Sequence, residues 1–324
     1  GFLADENVVL SETAEFFNFF RTTVTDLLDT DPIDVASTHS TVSILTSAIP
    51  FNKQLVLFSG QTQFLLGGSG ILSPKTVAMT KTTNYESLSD VRPVTLGSSI
   101  YFGFSRGEYT GIRQYFLTGD AIDIFDAADI SGQVPQYISG SLRDMAGSSH
   151  EDVIFMLADG DRSSLYVYKF FDQAAERVQS AWCRFKLSSN DTILGIEFID
   201  TTLYMVVKRG DGVFLDKMRM ETGLTYRTLV DRRVDQSSCT LSGDGLTITM
   251  PYKAYTGSTI EVITKAGVRI PVTTQTNDSN QIVVSSSLTG VDFWLGEQYE
   301  MVYTFSDVVL REPSPQGGEH TIAE

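Results

Sequence analysis

"VIFMLADGDRSSLYVYKFF", residues 153–171, sets two apolar runs on either side of a polar interruption centred on Gly160. Each run has the length of a strand and is rich in Val, Ile, Tyr and Phe, and the Asp and Gly between them favour chain reversal. The stretch reads as a β-hairpin. Three more segments have the same build: "LVLFSGQTQFLL" (55–66), "SIYFGFSRGEYTGIRQYFL" (99–117) and "TLYMVVKRGDGVFLDKMRM" (202–220). Their turn glycines, Gly60, Gly107, Gly160 and Gly210, stand 47, 53 and 50 residues apart. Between the hairpins lie further strand candidates such as "SAWCRFKLSS" (180–189) and "TILGIEFID" (192–200). A period near 50 with about four strands per unit is the pattern of β-propeller blades. Four units sit at the lower limit for a propeller, and stacking of the sheets as sandwiches is the alternative.

The rhythm stops at Gln236. "TLSGDGLTITMPY", "TIEVITKAGVRIPVTT", "QIVVSSS" and "QYEMVYTFSDVVL" then read as an additional antiparallel β-domain, with a hairpin turn at Ala266-Gly267. "REPSPQGG" (311–318), with two prolines and two glycines, reads as a loop or linker. In front of the hairpins, "AEFFNFFRTTVTDLLDTDPIDVA" (14–36) predicts helix. Ser11 would cap it, Glu12 and Glu15 occupy the first turn, and Phe16, Phe20, Val24, Leu27 and Leu28 recur at helical spacing. Asn18, Arg21, Thr25 and Asp29 fall on the opposite side. Asp26 and Asp29 sit badly at a helix C-terminus, so Asp31 is expected to open a second helix as its N-cap, with Pro32 first and Asp34 three residues after the cap. The carboxylate cluster is then a corner, with a divalent-ion site as the rival reading. The expected division is a helical lead-in over 1–39, propeller-like blades over 40–235, the antiparallel domain over 236–310 and a linker or flexible end over 311–324. The fold class is mainly β.

The 324 residues are 42% hydrophobic, enough for one large or two ordinary cores. No apolar run approaches the roughly 20 residues of a membrane helix, so membrane insertion is not expected. Gly1 stands where an initiator methionine would, and the C-terminal residues close on no clear element, which gives the expectation of a piece of a longer polypeptide. Two cysteines, Cys183 and Cys239, cannot frame a disulfide scaffold, and with His39, His150 and His320 they lack the spacing of a structural zinc site. Forty acidic against 24 basic residues give a net charge of −16, the wrong sign for holding a phosphate backbone.

The remaining motifs fall short of chemistry. Asp120, Asp123, Asp126 and Asp129 recur every third residue and would share one side of a helical turn, but the glycine and distant glutamate of a calcium loop are missing. A solvated acidic face with Ile122, Phe125 and Ile130 turned inward is the expectation. "DGDRSS" (159–164) is a hairpin turn. "SGDGLT" (242–247) fails as an aspartate box, its glycine being one residue early and no tryptophan following Thr247. "LLGGSGILSPK" (65–75) misplaces Lys75 for a phosphate loop and follows a hairpin instead of opening a helix. No serine or cysteine nucleophile is paired with a histidine. No catalytic, cofactor-binding or metal-binding residue is assigned, and no cofactor.

The segments "FFNFFRTTVTDLLDTDPIDVA" (16–36), "AIPFNKQLVLFSGQTQFLL" (48–66) and "LSPKTVAMTKTTNYE" (72–86) resemble the tail tubular protein B family, the nozzle proteins of short-tailed phages. "PVTLGSSIYFGFSRGEYTGIRQYF" (93–116), "DAADISGQVPQYISGSLRDMAGS" (126–148), "SAWCRFKL" (180–187) and "WLGEQYEMVYTFS" (294–306) continue the resemblance in order, so it covers most of the chain. It implies a virion tail protein that forms a hexameric ring with copies of itself below the adaptor, tail tubular protein A. It also implies a docking surface for the tail fibre protein and a channel through which DNA leaves without specific binding. No catalytic residue carries over, so a non-enzymatic role is expected. The competing classes are a tail-associated glycan hydrolase and a carbohydrate-binding propeller acting on the host envelope.

Overall fold

All four glycine-turn hairpins form, and each lies within its own antiparallel sheet. The computed structural model describes residues 1–21, 25–37, 42–68, 70–118, 124–173, 176–220 and 229–304, together with the backbone of 311–313 and 319–321. The chain divides into two compact units, Gly1–Gly223 and Leu224–Glu324.

The first unit opens with a three-stranded antiparallel sheet of β1 (Phe2–Ala4), β2 (Asn7–Leu10) and β3 (Ile33–Ala36). The expected helices are not there. From Glu12 to Thr30 the described residues make turns: Glu12 and Glu15 bridge, the Glu12 N–H reaches the Asn18 carbonyl at 2.9 Å, and Ala14 has a φ of +67°. Composition outweighed periodicity, because Phe, Asn, Thr and Asp, which dominate residues 16–26, are weak helix formers. Asn18 also bonds locally, its carbonyl accepting the Phe20 N–H at 3.0 Å and its amide donating to Glu12, which competes with a helical ladder. The second helix is replaced by β3, where β-branched Ile33 and Val35 alternate toward the core while Asp34 accepts from the Asn7 amide at 2.8 Å. Asp31 is therefore no N-cap of a helix. Val24 lies outside the described residues.

Sheet one follows as β4 (Leu45–Phe51), β5 (Gln54–Ser59), β6 (Gln63–Gly68) and β7 (Val77–Thr83). Sheet two has β8 (Val94–Leu96), β9 (Ser99–Arg106), β10 (Tyr109–Leu117) and β11 (Phe125–Asp129), with the short β12 (Ile138–Ser139) also on β10. Sheet three has β13 (Leu142–Ser148), β14 (Val153–Ala158), β15 (Ser164–Gln173) and β16 (Glu176–Lys186). Sheet four has three strands, β17 (Thr192–Ile199), β18 (Thr202–Arg209) and β19 (Gly212–Arg219). Each is an antiparallel meander in chain order, the build of a propeller blade.

The sheets stack face to face in sequence. β14 is buried along its whole length because its two faces serve two cores. Ile154, Met156 and Ala158 pack with Tyr101 and Ile112 of sheet two, while Val153, Phe155 and Leu157 pack with Leu203, Met205 and Val207 of sheet four. Phe58 and Val56 join Ile100, Phe102 and Tyr115 between sheets one and two. On its other face sheet one sets Leu57, Phe64 and Leu66 against Val8, Leu3 and Val35 of the opening sheet. A strand covered on both sides is a continuous apolar run, which is why residues 153–158 show no polar alternation.

The second unit pairs two four-stranded antiparallel sheets around one core. One sheet runs β20 (Asp231–Asp235), β27 (Phe293–Glu297), β23 (Ile260–Thr264), β24 (Arg269–Ile270). The other runs β21 (Thr240–Leu241), β22 (Thr247–Thr249), β26 (Gln281–Val284), β25 (Val272–Gln275). Val262, Phe293 and Leu295 from the first meet Ile248, Ile282 and Val284 from the second. Gly267, with a φ of +87°, makes the expected turn before β24. Within the segment expected as linker, Arg311–Pro313 (β28) pairs with Glu319–Thr321 (β29).

Candidate functional site

The seams between stacked sheets hold the densest side-chain chemistry of the first unit. At the seam of sheets two and three, Arg177 on β16 donates to the hydroxyls of Tyr168 (2.7 Å) and Tyr101 (3.1 Å), pairs with Asp172, and lies 4.2 Å from the Phe170 ring centroid. Burial alone would weaken the charge of Arg177, but the hydrogen bond to Asp172 leads the contacts that hold its pKa above the usual arginine range. Burial pushes the Tyr101 hydroxyl up to about 12. Trp182 adds a bond from its indole N–H to the Ile130 carbonyl at 3.3 Å.

At the seam of sheets one and two, the Tyr115 hydroxyl donates to Thr82 Oγ1 at 2.9 Å, and burial raises its pKa to about 12. Arg113 lies between the rings of Tyr85 (4.4 Å) and Phe104 (4.6 Å) and donates to the Ala127 carbonyl at 3.0 Å. Sheets three and four are joined by the Ile196 N–H on Asp144 Oδ2 at 2.8 Å and by Arg162 on the Ile193 carbonyl at 2.7 Å. Each seam is thus apolar, with charge-assisted or buried hydrogen bonds fixing its register. Sequence reasoning missed these arginines. Their signal was a cation within an otherwise strand-forming run, as in "GIRQYF" and "ERVQSAW".

The residues that the sequence singled out fall elsewhere. Asp31 is 2% exposed and its Oδ2 accepts the Leu28 N–H at 2.9 Å, while its Oδ1 has no partner. Asp29 instead faces Lys75 at 3.3 Å. Among the described residues no group of three or more His, Cys, Asp or Glu is disposed to hold a metal ion. Asp126 and Asp129 belong to β11, a strand and not the helical turn expected, which puts them on opposite faces. Asp126 accepts from the Tyr85 hydroxyl at 2.7 Å, and Asp129 pairs with Arg106 and accepts the Ser131 N–H at 2.9 Å. Phe125 and Ile130 do pack on the cores. Asp120, Ile122 and Asp123 lie outside the described residues, as do His39 and the side chain of His320.

"DGDRSS" makes the turn from β14 to β15. Asp161 accepts from both serine hydroxyls, 2.6 Å from Ser163 and 2.7 Å from Ser164, and Asp159 holds Arg143 (2.7 Å) and Arg162 (3.1 Å). The Arg143 hydrogen bond keeps the Asp159 carboxyl below the usual range. "SGDGLT" turns β21 into β22, with Gly245 at a φ of +72° and Ser242 Oγ accepting the Thr247 N–H at 2.9 Å. Burial pushes the Cys239 thiol up to about 11, so at neutral pH it is not a thiolate. In the second unit a recess of about 230 Å³ is bordered by Leu229, Val230, Glu261, Arg269, Gln298 and Tyr299, and its charges Glu261 and Arg269 pair with each other at 3.3 Å.

Comparison with solved structures returns distant likenesses. Hsv2 of Kluyveromyces lactis shares 10% identity over 60% of this chain and 52% of its own, with a TM-score of 0.40. The Chaetomium thermophilum Nup170 N-terminal domain in complex with Nup53 shares 12% over 84% of this chain and 54% of its own, with a TM-score of 0.39. Neither bears on function. Tail tubular protein gp12 of Escherichia phage T7 is 29% identical over 337 residues, a match covering 99% of this chain and 42% of that protein. The chain thus spans less than half the length of this relative. The family model described as bacteriophage nozzle protein matches residues 1–324 in full, and the chain belongs to that family.

Proposed function

We propose that this chain is a wall of a short phage tail, forming with copies of itself the nozzle through which the genome leaves the particle. The observation that carries the reading is the stack of antiparallel sheets whose seams are locked by Arg177, Tyr115 and Arg162, within a chain that matches the nozzle family from end to end. Such a stack resists shear, because sliding one sheet on the next would strand buried polar groups. The copies form a hexameric ring below the adaptor protein and offer the tail fibres a docking surface. The chain does no hydrolysis; it is scaffold.

The excess of 16 negative charges fits a wall that DNA passes without being held, since carboxylates repel phosphates over a Debye length of about 8 Å at physiological salt. The test is a fluorescence-anisotropy titration against duplex DNA from low to physiological salt, run beside a reducing-end assay on capsular polysaccharide, lipopolysaccharide and peptidoglycan. Neither binding tighter than micromolar at physiological salt nor sugar release is expected. Tight DNA binding would overturn the non-stick wall, and sugar release lost in a single carboxylate variant would make the protein an enzyme.

A further inference from the structure

The opening sheet is fastened to sheet one differently from the way the later sheets are fastened to each other. Its strands are three and four residues long, and Val8 and Ile33, 1% and 6% exposed, are the buried apolar side chains within them. The core it shares with sheet one takes Leu45, Leu57, Phe64 and Leu66 from sheet one and Val8 from the opening sheet, with Leu3, Leu10 and Val35 partly buried beside them. Deeper in the stack, cross-sheet bonds link strand to strand: Arg177 of β16 meets Tyr101 of β9, and Tyr115 of β10 meets Thr82 of β7. At the front they start from a turn. Asp5 and Glu6 connect β1 to β2, and there the Asp5 carbonyl accepts the Leu45 N–H at 2.7 Å while the Glu6 carboxylate accepts the N–H of buried Ser43 at 2.8 Å. The Glu6 carbonyl also accepts the Ser37 N–H at 3.0 Å, just past the end of β3. One two-residue turn thus holds both the exit from β3 and the entry to β4. Asp5 makes this turn with a φ of +51°, in the left-handed region that few side chains occupy. A further link, Lys75 to Asp29 at 3.3 Å, is exposed on both sides and contributes little.

We propose that the opening sheet is a cap that lifts from sheet one as a unit while sheets one to four stay folded, with the Asp5-Glu6 turn as its clasp. Lifting gives up little apolar burial on the cap side, where among the described residues Val8 is the fully buried contribution to the shared core. Parting sheets two and three would instead uncover Tyr101, Ile112, Ile154 and Met156 at once. Segments with few buried apolar contacts open at a lower free energy than the core does. The bonds that oppose lifting sit together at one turn, so they are lost together, and the carboxylate of Glu6 makes the charge-assisted one among them. Lifting uncovers Leu57, Phe64 and Leu66 on one face of sheet one. The front of the stack therefore presents an apolar face only when the clasp is released. This is a property of the single chain and does not rest on the nozzle role.

Hydrogen exchange of the intact protein, read by mass spectrometry over a series of urea concentrations below the unfolding transition, tests this. Segments spanning β2 and β3 are expected to exchange faster than β14 and with one common opening free energy. Their urea dependence is expected to be shallow, where β14 shows the steep dependence of global unfolding. Glu6→Ala is expected to speed exchange in β1, β2 and β3 about tenfold and to leave β14 unchanged. Glu6→Gln, which keeps a neutral acceptor, is expected to fall between the parent and Glu6→Ala. Opening free energies and urea slopes in β2 and β3 equal to those of β14 would overturn the proposal, since cap and stack would then open as one, and would leave the nozzle reading untouched. Equal acceleration of every sheet in Glu6→Ala would overturn the clasp. If Glu6→Ala does not fold, the urea slopes of the parent decide alone.

Discussion

The guanidinium of Arg177 and the hydroxyl of Tyr101 meet at 3.1 Å across the seam of sheets two and three, although 76 residues separate them in sequence. The same guanidinium serves Tyr168 and Asp172 and covers the face of Phe170. Lysine has the charge without the fork, so it can satisfy one of these partners and strands the others. Arg177→Lys is expected to lower stability by about 1–2 kcal/mol and Arg177→Ala by about 2–3 kcal/mol, read from urea unfolding of the intact protein. Equal stability of all three would mean that the seam is held by apolar contact alone.

Gly160 tests the blade geometry at a second point. A Cβ there would lie 2.5 Å from the Ser139 carbonyl oxygen, because the turn of sheet three presses against β12 of sheet two. The Gly160 N–H donates to that carbonyl at 3.0 Å. Gly210, at the equivalent turn of sheet four, has open space around it. Gly160→Ala is expected to lower stability by about 1–3 kcal/mol, and Gly210→Ala to leave it within about 0.5 kcal/mol. Thermal melts of the two variants check this, and equal loss at both sites would contradict the close approach.

These two glycines also show what was legible in the sequence. Turn position could be read from Gly, Asp and strand-length apolar runs, so all four hairpins were accessible. What distinguishes Gly160 from Gly210 is a neighbour in another sheet, which no local pattern records. The lead-in was misread for the opposite reason: Phe16, Phe20, Leu27 and Leu28 recur at helical spacing, but Phe and Thr are weak helix formers and the side chains have no core to face. Periodicity marks a helix only when one face is buried, and Phe16 and Phe20 are exposed. The clamps of Arg177 and Arg162 were equally hidden, since their partners Tyr101 and Ile193 are set by sheet stacking.

Asp31 distinguishes a structural corner from an ion site. Its buried carboxylate accepts the Leu28 N–H, and its second oxygen has no hydrogen-bond partner. Asparagine keeps the acceptor and removes the cost of a buried charge, whereas alanine leaves the Leu28 N–H without it. Asp31→Asn is expected to match or exceed the parent in stability, and Asp31→Ala to lose about 1–3 kcal/mol, with millimolar calcium or magnesium changing neither. A melting temperature that rises with divalent ion in the parent and not in Asp31→Asn would contradict the corner.

Burial of Tyr101 and Tyr115 predicts alkaline lability with a definite sign. Both hydroxyls are raised from 10.0 to about 12 in the folded state. Above pH 10 the unfolded chain releases these protons while the folded chain keeps them, so their contribution is whole below pH 10 and is lost as pH rises toward about 12. Tyr101→Phe and Tyr115→Phe should each flatten the fall in stability over that interval. An unchanged slope in both variants would show that neither hydroxyl is shielded at its seam.

In the proposed role, copies of this chain build the wall of a tail channel. Electron cryomicroscopy of intact particles of the phage that encodes it tests this most directly. Density for the stacked sheets is expected to repeat around the tail axis below the adaptor and to enclose a continuous channel. Density confined to the fibres or the capsid, or a particle lacking the chain, would contradict it.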